Sequence, residues 1–237
     1  MQEMNFLKDF ASDKKIIAMI PARIGSERLK RKNLQLINGR PMISFAINAA
    51  KISGVFDNII VNSDSILFKE IADKNGVDFY LRKKELGSSK TKADDVLADF
   101  IVTNNYQNDI ITWVNSVSPL ITSSEIRDTV FYFLKKKLDS LITSDRRKVH
   151  FELDDKPANY SRTEKFAQTQ DLKSVNLFVY SLMIFNSEIF IESFKKSGFG
   201  MFAGKFDTYP ASKLSTFFVK TKEDLELVRF LAKALNI

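Results

Sequence analysis

The sequence predicts a three-layer α/β domain, because short apolar runs alternate with amphipathic segments along most of the chain. Its 237 residues, 44% of them hydrophobic, are enough for one domain with a substantial core, and they exclude a disordered chain. The chain contains no cysteine, which excludes disulfides, thiolate metal sites and a cysteine nucleophile. We therefore expect residues 1–237 to fold as a single domain.

Local sequence patterns predict the strands and helices between residues 15 and 81. The apolar run Lys15–Ile20 predicts the first strand, and a proline at the first helical position predicts a helix over Pro41–Ser53. Apolar β-branched residues predict a second strand at Asn58–Asn62. An Asn-Gly pair ends the helix predicted at Ile66–Lys74, and a third strand follows at Val77–Leu81.

The same alternation continues to residue 143. Amphipathic periodicity predicts a helix over Lys92–Asn104, and the apolar run Asp109–Val114 predicts the fourth strand. Thr122 has capping-box spacing to the first residue of the helix predicted over Glu125–Lys137. A further strand is predicted at Ser140–Thr143.

Beyond residue 145 the pattern is less regular. In order, we predict a hairpin His150–Asn159 with Asp-Asp-Lys-Pro as its turn, an apolar strand Leu177–Phe185, a short helix Ser187–Ser197, a last strand Leu214–Val219 and a final amphipathic helix Lys222–Leu235. We expect residues 145–185 to project from the domain as a small β-rich flap that contributes to dimerisation.

A basic loop, residues 21–34 (PARIGSERLKRKNL), follows the first predicted strand. In open α/β sheets the ligand crevice lies at the carboxyl ends of the strands. The small pair Gly25-Ser26 lets backbone N–H groups approach an anion, and the neighbouring side chains supply fixed positive charge. These features predict a triphosphate site. The loop is neither a Walker loop nor a dinucleotide fingerprint, and a solvated basic turn is the alternative.

Five further segments follow the basic loop in a defined order, at Gly39–Ile43, Asp57–Ser65, Leu81–Leu86, Asp95-Val96 and Ser118–Leu120. Together with the loop, which is similar to Pro-Ala-Arg-x-Gly-Ser-x-x-x-Pro-x-Lys-Asn-Leu, they resemble motifs of the acylneuraminate and 3-deoxy-octulosonate cytidylyltransferases. The resemblance covers about residues 15–145. Several motifs in the correct order are far more specific than any one of them.

The resemblance implies a Rossmann-like, three-layer nucleotidyltransferase fold and a defined reaction. In this family CTP lies over the first loop, and the anomeric hydroxyl of an acidic nonulosonic or octulosonic sugar attacks the α-phosphorus and displaces pyrophosphate. The implied partners are CTP, an acidic sugar and a second copy of the chain in a homodimer. The implied process is the synthesis of CMP-sugars for cell-surface polysaccharides.

The resemblance also implies roles for individual residues. Arg23 and Lys32 are expected to be catalytic, since they would clamp the phosphates. The expected nucleotide-binding residues are Ala22, Arg23, Gly25, Ser26, Arg28, Lys32, Asn33, Arg82 and Asn115. The expected sugar-binding residues are Arg146, Arg147 and Tyr180, the two arginines because a guanidinium can hold a carboxylate through two hydrogen bonds. Alternatives stay open for three of these assignments. Arg82 and the segment Arg146–Lys148 are each explained equally well as solvated basic runs, and Asp64 as the cap of the helix that follows it.

The chain departs from the family where the catalytic cation is held. The family motif Asp-x-Asp-Thr-x-x-Asp corresponds here to Phe218–Asp224, with Phe218 and Lys220 in place of the two metal-binding aspartates. The family implies Mg²⁺, whereas this segment predicts no metal ligand. One hypothesis is a working enzyme in which Lys220 or Lys30 replaces part of the metal's charge. The other is a nucleotide- or sugar-binding paralogue without turnover. We expect CTP to bind with weakened dependence on metal.

The net charge of +7 bears on the class of partner. Residues 21–40 hold six basic residues and one acidic residue, and residues 135–150 hold six basic and two acidic residues. The concentration of positive charge in two local clusters favours small anionic ligands. Nucleic acid is disfavoured because the aromatic residues lie mostly at core-like positions, rather than among the basic residues where they could stack on bases. No apolar run approaches the roughly 20 residues that span a bilayer, and no signal peptide is visible. We therefore expect no nucleic-acid or membrane partner and a cytoplasmic location.

Overall fold

A seven-stranded mixed sheet forms the centre of the computed structural model, which describes residues 13–237. The strands are, in chain order, β1 (Ile16–Ala22), β2 (Leu36–Ile37), β3 (Arg40–Pro41), β4 (Asn58–Ser63), β5 (Asp78–Leu81), β6 (Ile110–Val114), β7 (Ser140–Arg147), β8 (Glu152–Leu153), β9 (Lys156–Pro157), β10 (Val175–Asn186) and β11 (Phe206–Pro210). Strands β2 and β3 pair as one short ribbon and β8 and β9 as another. The other strands form the sheet in the order β11-β7-β10-β6-β1-β4-β5.

Six α-helices connect these strands in the part of the chain that the structure describes. They are α1 (Ile43–Ser53), α2 (Leu67–Asn75), α3 (Ala93–Thr103), α4 (Ser123–Lys136), α5 (Ser187–Ser197) and α6 (Lys222–Ala234). The predicted helices are confirmed, with ends that differ by at most two residues. Thr122 caps α4 by accepting the N–H of Glu125, as its position predicted.

Alternate residues of β1 face two layers of helices. Ile16, Ala18 and Ile20 pack against α1, α2 and α4, whereas Ile17 and Met19 pack against α3 and α5. Helix α6 packs apart from both layers, over the β2–β3 ribbon. The predicted three-layer α/β/α arrangement is therefore confirmed.

The strand directions determine where a ligand site can form. Strand β10 runs antiparallel to both of its neighbours, and the other neighbouring pairs of the sheet are parallel. Strands β1, β4 and β6 consequently end at the same edge of the sheet. The basic loop after β1 and the segment before α3 both lie at this edge, where open α/β sheets bind their ligands.

Two predicted element boundaries need correction. The strand predicted at Leu214–Val219 is wrong, since residues Leu214–Thr216 form a 3₁₀ turn. The buried hydroxyl of Ser215 donates to the Glu125 carboxylate at 2.6 Å, a long-range contact that holds this turn. The last strand of the sheet is instead the edge strand β11, which ends at a proline that an edge strand tolerates.

Pro41 also lies outside the helix that it was predicted to start. It belongs to β3, where it lies opposite Leu36. The N–H of Met42 donates to the carbonyl of Gln35 at 2.8 Å, so this ribbon holds the chain until α1 begins at Ile43.

The predicted hairpin at residues 150–159 is formed by β8 and β9. Asp154 and Asp155 have φ angles of 49° and 60°, which place both in the left-handed region that a two-residue hairpin turn requires. The turn is thus the Asp-Asp pair alone, since Pro157 lies within β9. The start of β10 pairs with the end of β7 beside this hairpin, where Val175 lies opposite Arg147. The role of residues 145–185 in dimerisation stays a prediction.

Among residues 13–237, no helix has both the length and the apolar character that crossing a membrane would require.

Candidate functional site

A cavity of about 340 Å³ lies at the carboxyl ends of β1 and β6, between the basic loop and the start of α3. Of the nucleotide-binding residues implied by the resemblance, those that line this cavity are Ala22, Arg23, Ser26, Lys32, Asn33, Arg82 and Asn115. Gly25 and Arg28 do not line it. The structure therefore brings together side chains from three strand ends and the basic loop.

The Asp64 carboxylate fixes the start of the basic loop. It accepts the N–H of Ile24 at 3.0 Å. Gly87 packs against it so closely that a Cβ at this glycine would lie 2.2 Å from the Asp64 Oδ2 atom. Asp64 therefore ties the loop to the turn that contains Gly87. The alternative in which it caps α2 is wrong, because that helix has no side-chain cap.

A second contact anchors the far end of the loop. Asn33 is 3% exposed, and its Oδ1 accepts from the hydroxyl of Ser116 at 3.1 Å. The same hydroxyl lies 2.6 Å from the carbonyl oxygen of Pro21. Arg31, two residues before Asn33, adopts a left-handed conformation with φ of 49°, which turns the chain into a short 3₁₀ segment at Lys32–Leu34. The loop is thus held at both ends, and the alternative of a freely solvated basic turn does not fit.

Lys32 is the most perturbed cation of the cavity. Burial, together with the positive charges of Arg28, Arg23 and Lys220, lowers the pKa of Lys32 to about 8, and Asp224 works in the opposite direction. Lys30, which the sequence also suggested as a substitute for part of the metal's charge, is exposed and does not line the cavity. A group of mutually repelling cations of this kind is stabilised when a polyanion binds between them.

Arg82 is buried, although it belongs to a run of basic residues. Its guanidinium donates to the carbonyl of Asn62 at 2.9 Å, to the Asn62 side chain at 3.1 Å and to the carbonyl of Ala22 at 3.3 Å. Its side chain is 4% exposed, whereas Lys83 and Lys84 are exposed. Burial lowers the pKa of Arg82, and the Asp64 carboxylate opposes this effect. The solvated-run alternative is therefore wrong for Arg82, which joins the ends of β1 and β4 beneath the cavity.

Asn115 links the cavity to an irregular point in β10. Its side-chain amide donates to the carbonyl of Tyr180 at 3.2 Å, and its backbone N–H donates to the carbonyl of Ser181 at 3.0 Å. The pairing of β10 with β7 is interrupted between Phe178 and Met183. Tyr180 lies within this interruption with φ of 52°, a left-handed conformation that favours glycine. The resemblance aligns an Asn-Gly pair of the family with Val179-Tyr180 of this chain.

The predicted sugar-binding arginines do not line the cavity. The Arg147 guanidinium pairs with the buried Asp145 carboxylate, two residues earlier on the same face of β7. Lys213 lies 3.8 Å from the other oxygen of this carboxylate. Arg146 points to the opposite face of the strand and is exposed. Tyr180 is 46% exposed near the cavity rim.

The residues at the family's metal position do not fit Mg²⁺. Phe218 and Lys220 replace the aspartates, and the Asp224 carboxylate accepts the backbone N–H groups of Lys220 and Thr221, both at 2.8 Å. Burial works to raise the pKa of Asp224, but these hydrogen bonds outweigh it and hold the pKa below its usual value. No group of three or more histidine, cysteine, aspartate or glutamate side chains suited to a metal ion occurs within residues 13–237. Mg²⁺ requires hard oxygen ligands, and an ammonium group repels it.

Several residues that line the cavity were not predicted. They are Ser88, Ser89, Thr91 and Lys92 before and at the start of α3, and Trp113, Ser116 and Val117 at the end of β6. A signal for the second group was present, because residues that follow a parallel strand lie at the ligand edge of the sheet. The residues of the first group reach the cavity because of the course that the chain takes between β5 and α3, and no local sequence pattern specifies that course.

Fold and site together define an α/β protein of the nucleotidyltransferase type. The fold matches that of a CMP:2-keto-3-deoxy-manno-octonic acid synthetase whose structure was solved with CTP, with a TM-score of 0.69 and 16% identity over 94% of this chain and 100% of that one. A family model described as cytidylyltransferase matches residues 17–237. The chain therefore belongs to the cytidylyltransferase family, as its motifs predicted.

Two relatives illustrate the sequence similarity. An N-acylneuraminate cytidylyltransferase of Streptococcus agalactiae serotype III is 30% identical over 89% of this chain and 51% of that protein. A post-translational flagellin modification protein B of Campylobacter coli is 28% identical over 94% of this chain and 97% of that protein. The chain spans 33% to 51% of the length of the streptococcal relatives that it matches.

Proposed function

We propose that this protein transfers CMP from CTP to an acidic sugar and releases pyrophosphate. The anomeric hydroxyl oxygen of the sugar bonds to the α-phosphorus, and the bond from that phosphorus to the bridging oxygen breaks. Pyrophosphate leaves with the electron pair, and the hydroxyl proton passes to water. Because charge spreads over the phosphoryl oxygens in the transition state, positioned cations are the main contribution of the protein.

The observation that carries this proposal is the cation-lined cavity at the ligand edge of the sheet. Arg23 and Lys32 line it from the basic loop, and Lys92 lines it from the start of α3. The neutral polar side chains of Asn115 and Ser116 also line the cavity. A triphosphate placed there meets positive charge from both sides, and the polar groups are available to the rest of the nucleotide.

The acceptor is proposed as an acidic sugar because the streptococcal relative is named for N-acylneuraminate. We place the sugar beside Tyr180, whose carbonyl is held by Asn115 at the cavity rim. Arg146 does not line the cavity, but it is the arginine that we keep as the candidate for the sugar carboxylate, since Arg147 is already paired with Asp145.

We further propose a cytoplasmic homodimer that supplies CMP-sugar for cell-surface polysaccharide synthesis. Exposed apolar side chains in and next to residues 145–185 support the dimer, with Phe166 at 77%, Leu177 at 40% and Phe202 at 54% exposure. Exposed apolar surface of this kind commonly marks a protein interface. Light scattering on the purified chain is expected to give the mass of a dimer, and a monomer at all concentrations would overturn this part.

Pyrophosphate release tests the activity, with the full chain, CTP, and N-acetylneuraminic acid or 3-deoxy-octulosonate as acceptor. Arg23→Ala is expected to lower kcat/KM by about tenfold or more, because charge-assisted contacts to phosphate contribute about 1.5–3 kcal/mol. Lys90→Ala is the matched control, since Lys90 is exposed beside the cavity without lining it. CTP binding without release would favour the binding paralogue, and absence of CTP binding would overturn the proposal.

A further inference from the structure

Phe218 and Lys220 line a second cavity of about 220 Å³, and neither of them lines the cavity of the basic loop. The residue between them, Val219, donates its N–H to the carbonyl of Val117 at 2.9 Å, and Val117 lines the cavity of the basic loop. The Lys220 Nζ atom lies 6.0 Å from the centre of the Phe218 ring, so the two side chains are neighbours. The segment that holds aspartates in the family thus runs beside the cavity of the basic loop, and it carries an aromatic ring and an ammonium group at those positions.

Positively charged side chains outnumber carboxylates around Lys32. Arg28, Arg23 and Lys220 all lie close enough to Lys32 to disfavour its positive charge, and Asp224 is the acidic group that favours it. The Asp224 carboxylate is occupied by backbone N–H groups at the start of α6. A divalent cation here would meet ammonium and guanidinium groups, whereas the oxygens of a triphosphate would meet the charges that they require.

We infer that the Lys220 ammonium supplies here the positive charge that an aspartate-bound cation supplies in the family, so that metal-free CTP is the nucleotide substrate. This inference rests on the proposed CMP transfer and names the source of charge at that site. The bonds that form and break are unchanged, with pyrophosphate leaving with its electron pair and the hydroxyl proton passing to water. Lys220 and Lys32 neutralise the charge of the phosphates during this step.

Calorimetric titration of CTP into the full chain tests the inference, first in excess EDTA and then in millimolar Mg²⁺. We expect the dissociation constant in EDTA to be as low as in Mg²⁺ or lower, because Mg²⁺ neutralises charge that the lysines and arginines would otherwise bind. Pyrophosphate release with an acceptor sugar is likewise expected to persist in EDTA.

A double variant restores the family's carboxylates. Phe218→Asp combined with Lys220→Asp is expected to weaken CTP binding in EDTA by about tenfold or more, the size of a lost charge-assisted contact. Mg²⁺ is expected to restore the affinity of this variant. Lys222→Asp is the control, because it makes the same charge change as Lys220→Asp alone, on an exposed side chain of the first turn of α6, and it is expected to leave metal dependence unchanged. Lys220→Arg retains the charge and is expected to bind CTP in EDTA.

The outcomes separate this inference from the function on which it rests. If the unaltered chain binds CTP only with Mg²⁺, the inference is overturned and the proposed transfer stands. If it binds CTP in neither condition, the proposed function itself fails. If the double variant loses affinity equally in EDTA and in Mg²⁺ while its thermal unfolding matches that of Lys222→Asp, Lys220 is not the substitute for the cation.

Discussion

We expect CTP binding to weaken as the pH rises through the titration of Lys32. The pKa of Lys32 is about 8 in the free protein, because of its burial and the charges of Arg28, Arg23 and Lys220. A bound triphosphate favours the ammonium form and raises this pKa toward the ordinary lysine value. Lys32 carries its charge below pH 8 and must take up a proton on binding above it. For a free pKa of about 8, linkage gives a dissociation constant about eightfold higher at about pH 9 than at about pH 7.5.

Calorimetry in buffers of different ionisation enthalpy measures both the affinity and the proton uptake. At about pH 8, half of the Lys32 side chains are neutral, so about half a proton is taken up per CTP bound. Lys32→Arg is the matched variant, because a guanidinium keeps its charge throughout this range and its profile is expected to be flat. An equally steep profile in Lys32→Arg, or no proton uptake by the unaltered chain, would refute the reasoning.

Three further substitutions test the framework of the site. Gly87→Ala is expected to displace Asp64, to cost about 1–3 kcal/mol in urea unfolding and to weaken CTP binding, whereas a Cβ at Gly25 meets open space, so Gly25→Ala is expected to leave the free energy of unfolding unchanged. Equal effects of the two glycine substitutions would contradict this account. Tyr180→Gly is expected to be more stable than Tyr180→Ala by about 1 kcal/mol, because only glycine relieves the left-handed φ; equal unfolding midpoints would argue against strain. Arg82→Met is expected to lower the free energy of unfolding by about 3 kcal/mol, since three oxygens lose their buried guanidinium donor. Arg82→Lys is expected to be destabilised as well, because an ammonium group cannot reproduce the planar set of donors. An unchanged free energy of unfolding in Arg82→Met would show that these contacts contribute little.

The sheet and its helices could be predicted because their patterns are local. Strand β1 is apolar on both faces, as a strand buried between two layers must be, and Thr122 marks the start of α4 by its spacing alone. Strand β11 was missed because an edge strand has little need of apolar residues on both faces. The turn at Leu214–Thr216 depends on Ser215 reaching a carboxylate far away in the sequence, which no local pattern shows.

The site was predictable where it is contiguous in the chain. The basic loop follows β1 directly, so its position at the ligand edge could be inferred from the fold class. The burial of Arg82 could not be predicted, because its neighbours in the sequence are exposed lysines and its hydrogen-bond partners lie on other strands. The pairing of Arg147 with Asp145 had a sequence signal, since residues two apart share one face of a strand.

The start of α6 is built without the side chains of residues 218 and 220. Thr221 and Asp224 each accept the other's backbone N–H, and the hydrogen bond that Asp224 accepts from Lys220 comes from the backbone of the lysine. A reciprocal cap of this kind contributes about 1 kcal/mol whatever side chains precede it. The charge of this segment can therefore be reversed while the helix keeps its boundary. On the inference that Lys220 replaces the cation, two substitutions within one family separate the choice of counter-ion from the stability of the fold that presents it.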